Sequence, residues 1–163
     1  MATKPTAIRQ KLDRGMTVPL TLILTIDGSP EPLRRWLGER PAPWARCALT
    51  VADNVPTQFM AHLTTALRPL MPKRHPMPGS QAAVLDATTA LLNALLDVPE
   101  DFALVLEDYQ TITSPAIHAA VTLMADYPPP QMHLYLISQT VPRLSLARLR
   151  VRRQLVEIDL RPT

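Results

Sequence analysis

Residues 101–110 read DFALVLEDYQ, an apolar run that stops at two acids, Glu107 and Asp108. A buried strand ending in paired carboxylates is the metal-and-water half of a phosphate-hydrolysing site. One acid holds Mg2+ and its neighbour polarises the attacking water. A strand can also end in acids simply because it reaches solvent, so the other half of such a site decides. That half is a glycine-rich loop between a strand and a helix, GxxxxGK[ST], whose backbone N–H groups and lysine grip the phosphates. At the matching place, after the first apolar run, stands LTIDGSPEPLRRW. It has one glycine, Gly28, followed by Ser29, and no lysine stands between Lys11 and Lys73. Pro30 and Pro32 remove two N–H donors, while Asp27 and Glu31 put negative charge where phosphate would sit. The acid half is present and the phosphate half is not. Neighbouring residues of a strand point to opposite faces, so only one of the two acids can face a cleft. With no metal-bound phosphate to offset it, that charge is expected to meet water or an arginine such as Arg143.

Strand-like and helical runs alternate along the chain. VPLTLILTI (18–26) is continuous and β-branched, as suits a strand covered on both faces. A short helix comes next in EPLRRWLGER, with Leu33, Trp36 and Leu37 on one side, then a second strand, WARCALTVA (44–52). VPTQFMAHLTTALRPLM spaces Phe59, Leu63, Ala66, Leu67 and Leu70 as a helix does, with Asn54 or Thr57 as its cap. KRHPMPGS (73–80) is a proline-rich break, after which QAAVLDATTALLNALLDV predicts a helix and DFALVLED a third strand. SPAIHAAVTLMADY opens with Ser114 as N-cap and Pro115 at the first helical position. MHLYLIS (132–138) is a fourth strand, PRLSLARLRV a last helix and QLVEIDL a fifth strand. This order predicts an α/β three-layer sandwich of about five mostly parallel strands with helices on both faces. Ligands of such sheets sit beyond the carboxyl ends of the strands. Those ends are Ile26-Asp27-Gly28, Ala52-Asp53-Asn54, Glu107-Asp108-Tyr109 and Ser138-Gln139-Thr140.

The bulk properties narrow the classes. A chain of 163 residues, 47% hydrophobic and 19% charged, suits one globular domain. No apolar run approaches the roughly 18 residues of a membrane span, and the start, MATKPTAIRQKL, has no signal-peptide core. The single cysteine, Cys47, excludes an internal disulfide, and a cytoplasmic protein is expected. Cys47 is expected as a packed thiol, Trp36 and Trp44 as core or interface anchors, and the four histidines as surface or satisfied core residues. Eighteen prolines against four glycines leave few residues able to wrap phosphate. The net charge of +3 is uneven: residues 143–161 hold six arginines against Glu157 and Asp159. No aromatic residue interleaves them, which favours a solvated face over a nucleic-acid surface.

Taken together, three stretches carry a family resemblance: RQKLDRGMTVPLTLIL, the segment WLGERPAPWARCALTVADNVPTQFMAHLTTALRPL, and DFALVLEDYQTITSPAIHAAVTLMADYPPPQMHLYLISQTVPRLSLARLRVRRQL. The chain resembles the NTPase domain (NB-ARC/AAA-like) of the large ATP-dependent LuxR-type transcriptional regulators, the maltose-activator-like branch of the STAND NTPases. The resemblance implies a P-loop NTPase-like fold, ATP and Mg2+ as ligands, and self-association coupled to transcription through a separate DNA-binding part. It places the phosphate-gripping lysine near Ser29, in a loop about two residues short. It keeps the acids as Glu107-Asp108, with Glu for the usual Asp, longer by about 1.5 Å. It puts Gln139 where the sensor strand normally ends in an arginine. The remnant site is therefore Gly28, Ser29, Glu107, Asp108 and Gln139, with Glu107 and Asp108 as metal ligands if Mg2+ binds. The expectation for residues 1–163 is a single degenerate nucleotide-binding domain, with 1–17 as lead-in and no helical-repeat or DNA-binding output domain. It would act as a regulatory or interaction protein through a protein partner or self-association, without tight ATP binding or hydrolysis. Two alternatives stand beside it: a weak ATP-binding fragment working with a separately encoded DNA-binding part, and a basic module that touches nucleic acid.

Overall fold

A computed structural model of the chain describes residues 5–26, 30–40, 43–72 and 83–162. The proline-rich break at 73–80, with His75, lies outside the described residues. In chain order the elements are α1 (Pro5–Gly15), β1 (Leu20–Leu24), α2 (Glu31–Glu39), β2 (Trp44–Ala48), α3 (Pro56–Leu67), α4 (Val84–Leu95), β3 (Phe102–Glu107), α5 (Pro115–Asp126), β4 (Met132–Ser138), α6 (Ala147–Val151) and β5 (Leu155–Asp159). The five strands form one sheet in the order β2-β3-β4-β1-β5, and every pairing is parallel.

That order fixes which face each helix covers. The chain leaves β1, passes over two strand positions to the edge at β2, then returns through β3 and β4 and crosses β1 to reach β5. Right-handed crossovers put α2, used on the outward leg, on one face, and α3 to α6, used on the return, on the other. The packing agrees. Leu22, Cys47, Leu104, Leu106, Leu134 and Leu136 join Phe59, Leu91, Ile117 and Leu149 of the return helices in one core. Ile23, Val105, Tyr135, Ile137 and Ile158 meet Ile8 and Leu12 of α1 and Leu33, Trp36 and Leu37 of α2 in the other. The interior strands β1, β3 and β4 are buried along their whole length, whereas the edge strand β2 alternates exposed and buried residues. Continuous apolar runs are what two covered faces demand.

The N-terminal lead-in is a helix, α1, which adds a second helix beside α2. Tyr135 Oη donates to the Leu12 carbonyl at 2.6 Å, and Trp36 Nε1 donates to Asp13 Oδ1 at 2.7 Å. Gly15 is required there, because a Cβ would run into Thr21 Oγ1 and the Tyr135 hydroxyl. Trp36 is a core residue, but Trp44 is 40% exposed on the open face of β2. The second strand is shorter than its apolar run. Asp53 accepts from the Thr50 backbone N–H at 2.8 Å and winds residues 51–54 into a 3-10 turn.

Neither Asn54 nor Thr57 caps α3, which begins at Pro56 after Val55. Instead, Asn54 ties the exit of β2 to the exit of β3. Its Nδ2 donates to the Thr111 and Val51 carbonyls (2.9 and 3.1 Å), and its Oδ1 accepts from the Thr113 and Ser114 N–H groups (2.7 and 3.0 Å). A second tie joins α5 to the same exit, where buried Tyr109 Oη meets His118 Nδ1 at 2.8 Å. Burial and the charge of Arg143 lower the His118 pKa, and a hydrogen bond with the Ile112 backbone opposes them in part.

These ties have two testable consequences. Asn54→Ala strands two part-buried backbone groups, the Thr111 carbonyl and the Ser114 N–H, and should cost about 2 kcal/mol in urea denaturation. The lowered His118 pKa means that the unfolded chain protonates first as pH falls below about 6.5, the ordinary value. The stability present above that pH is then lost in acid. Melting wild type and His118→Gln at pH 7.5 and 5.5 should show the larger acid-induced drop in wild type, and equal drops would contradict this.

Candidate nucleotide site at the carboxyl edge

The carboxyl ends of β3, β4 and β1 lie side by side, because the sheet order brings strands far apart in sequence together. The connections leaving the neighbours β1 and β4 run in opposite directions across the sheet, and a crevice forms at such a point. Asp27, Gly28 and Ser29, which would form the phosphate loop, lie outside the described residues. At the entry to α2, Pro30 precedes the helix and Pro32 stands in its first turn, so two of the four backbone positions 30–33 carry no N–H. Glu31 is engaged by Arg35 at 2.6 Å.

Glu107 ends β3 and is 3% exposed. Both of its carboxylate oxygens are held by one guanidinium: Arg46 Nε donates to Oε1 at 2.6 Å and Nη2 to Oε2 at 2.8 Å. The register explains the contact. Arg46 is level with Val105, so Glu107 stands two residues further along the neighbouring strand and on the same face. The hydrogen bonds to Glu107, and then its charge, raise the Arg46 pKa further. The expectation of a solvated acid met by water or Arg143 is thereby corrected. The acid is buried and its partner is Arg46, from a strand that the sequence alone does not place beside β3. Arg143 is exposed, and its charge bears on His118 instead.

Asp108 turns the other way. Its backbone is left-handed (φ 58°, ψ 41°), an uncommon conformation for a residue with a side chain. The bend starts the 3-10 turn Tyr109–Thr111. Its Oδ1 accepts from Gln110 Nε2 at 3.2 Å, while Gln110 Oε1 accepts from the Gln139 backbone N–H at 3.1 Å. Gln110 thus bridges the ends of β3 and β4, a role that only its position two residues after Asp108 could have suggested. Gln139 stands exposed just after β4.

The residues present do not fit a divalent ion as they stand. Mg2+ requires near-octahedral oxygen ligands at about 2.1 Å, and the two Glu107 oxygens already accept the Arg46 fork. No group of three His, Cys, Asp or Glu suited to a metal occurs among the described residues.

The other residues of chemical interest have structural partners. His62 Nδ1 meets buried Asp53 at 3.1 Å, beside a shallow pocket of about 360 Å3 bordered by Gln58 and Thr65. His133 Nδ1 donates to the Val18 carbonyl at 3.1 Å. Cys47 is buried, and desolvation, helped by the charge of Asp53, pushes its thiol up to about 12, which leaves it inert. A second cavity, about 450 Å3, opens between α1 and α2 and is lined by Ile8, Leu12, Glu31 and Trp36 among others. Of the six arginines near the C-terminus, Arg148, Arg150 and Arg161 pair with Asp126, Glu157 and Asp159. No described helix is long and apolar enough to cross a membrane.

No family model matches the chain. It is 36% identical over 118 residues to the HTH-type transcriptional regulator MalT of Serratia proteamaculans, an alignment covering 68% of this chain and 13% of that protein. The MalT of Yersinia enterocolitica is 33% identical over 121 residues, covering 69% and 13%, and that of Cronobacter sakazakii is 30% identical over 122 residues, covering 68% and 13%. The chain therefore matches only about 13% of the length of these curated relatives. Among solved structures, a Walker-type ATPase of Pyrococcus abyssi superposes with a TM-score of 0.63 at 17% identity, over 98% of this chain and 54% of that one. A chain of the Drosophila ORC complex bound to GC-rich DNA and Cdc6 gives a TM-score of 0.52 at 11% identity, over 98% and 28%. At such identities these two matches speak for the fold alone. The sequence relationship and the five-stranded parallel sheet together make the chain a P-loop NTPase-like domain of the MalT-type regulator family.

Proposed function

We propose that the chain is a regulatory or interaction module, built on the NTPase-like core of a MalT-type regulator, that does not hydrolyse ATP. The observation that carries this reading is the capture of both Glu107 oxygens by Arg46, which denies a metal the strand-end acid. The rest of the site supports it. The phosphate loop has Gly28 and Ser29 but no lysine, prolines stand at positions 30 and 32, and neutral Gln139 occupies the sensor position. A phosphoryl-transfer site works by electrostatic stabilisation of the transferred group. The described carboxyl edge directs no lysine at that group and ties its second acid, Asp108, to Gln110. The module acts in the cytoplasm through a protein partner or another copy of itself, and it meets nucleic acid only indirectly. Three of the six arginines of the C-terminal segment are paired with carboxylates and no aromatic residue interleaves them, which gives the nucleic-acid reading little support.

Calorimetric titration with Mg-ATP tests the reading. Each lost charge-assisted bond removes about 1.5–3 kcal/mol, so binding should be no tighter than millimolar, about −4 kcal/mol. A micromolar dissociation constant, or steady release of phosphate from ATP, would overturn it.

A further inference from the structure

We infer that Arg46 is the resident cation of this site, a tethered guanidinium that replaces the exchangeable divalent ion at Glu107. The inference deepens the non-hydrolysing reading and rests on it. A carboxylate buried to 3% exposure needs a compensating positive charge. Two sources could supply one at the end of a core strand: an ion from solution, or a side chain from a neighbouring strand. The geometry selects the side chain. Two nearly parallel N–H···O bonds of 2.6 and 2.8 Å use the planar fork of arginine and leave neither oxygen unengaged. The fork is well placed energetically, because the Arg46 side chain remains 53% exposed. It neutralises Glu107 while much of its own surface stays hydrated.

The two kinds of cation behave differently. A divalent ion leaves with a chelator or with a departing nucleotide and returns when either changes. The charge of Arg46, its pKa raised further by Glu107, is present at any pH at which the chain folds. The ends of β2 and β3 are then clamped in one arrangement, without reference to metal or nucleotide. Asp108 reinforces the exchange by turning its carboxylate to Gln110. The guanidinium is a lock where the ion would be a switch.

The test uses Mn2+ alone as the probe, with melting temperature and Mn2+ electron paramagnetic resonance as readouts. Wild type should melt at the same temperature in EDTA and in millimolar Mn2+, and should bind none of the ion. Arg46→Ala should melt lower by roughly 5 °C in EDTA. Part of that loss should return with Mn2+, together with a bound-ion signal, and Glu107→Gln added to Arg46→Ala should abolish both. If Arg46→Ala does not fold, Arg46→Gln, which keeps most of the side-chain volume, carries the same measurement. Wild type stabilised by Mn2+ as strongly as the variant would overturn the inference. So would a variant that loses stability but ignores Mn2+, since Arg46 would then be an ordinary ion pair. The two failures stay distinct: micromolar Mg-ATP binding by wild type overturns the functional reading, whereas an Mn2+-blind Arg46 variant in a chain indifferent to Mg-ATP overturns this inference alone.

Discussion

A parallel strand cannot return to its neighbour by a tight turn, so each crossover must carry a connection over one face of the sheet. The direction in which the chain crosses the sheet then decides which face that is. Here the outward step from β1 to β2 and the return through β3, β4 and β5 divide the helices between the two faces. Burial on both sides makes the interior strands continuous apolar runs and leaves polar chemistry only at their ends. Glu107 is placed where a core strand gives out, close enough to the interior to be buried and close enough to the edge to be reached. Everything at the carboxyl edge depends on that position.

The position also sets the electrostatic problem. A carboxylate removed from water is costly unless paired, and the neighbour in the sheet supplies Arg46 as its partner. An edge strand is the suitable source. β2 has one buried face and one open one, so its outward residues can be long and charged without entering a core. An interior strand could not hold an arginine in this way. Around the pair, Asn54, Gln110 and the Tyr109–His118 contact join the ends of β2, β3, β4 and α5 with side-chain bonds. The edge is a knitted polar surface in which Glu107 is paired with Arg46 and Asp108 with Gln110.

Much of this architecture was legible in the residue order. The run at 18–26 could be read as a covered strand, because burial on both faces demands unbroken apolar sequence, and those at 101–108 and 132–138 as strands. Ser114-Pro115 marked a helix start because proline fits the first turn and Ser114 precedes it, as the structure has it. The family likeness was legible in the acids, the sensor strand and the segment between them. The helix over residues 5–15 is not legible in the sequence, since its core-facing residues come down to Ile8 and Leu12, too sparse a stripe to stand out without α2 beside it.

The sequence by itself determined the type and succession of the elements from β1 onward, the acids at the end of β3, and the absence of lysine and scarcity of glycine after β1. Those are local properties, fixed by side-chain chemistry and by periodicities of a few residues. Only the tertiary structure decided what the acids touch. Arg46 and Glu107 are 61 residues apart in the chain, and nothing in either segment favours Arg46 over Arg143 as the partner. The sheet order makes β2 the neighbour of β3, and the parallel register sets Arg46 two residues behind Glu107 on the same face. Which charge meets which is a property of strand adjacency, and adjacency comes from burying all the helices and strands at once.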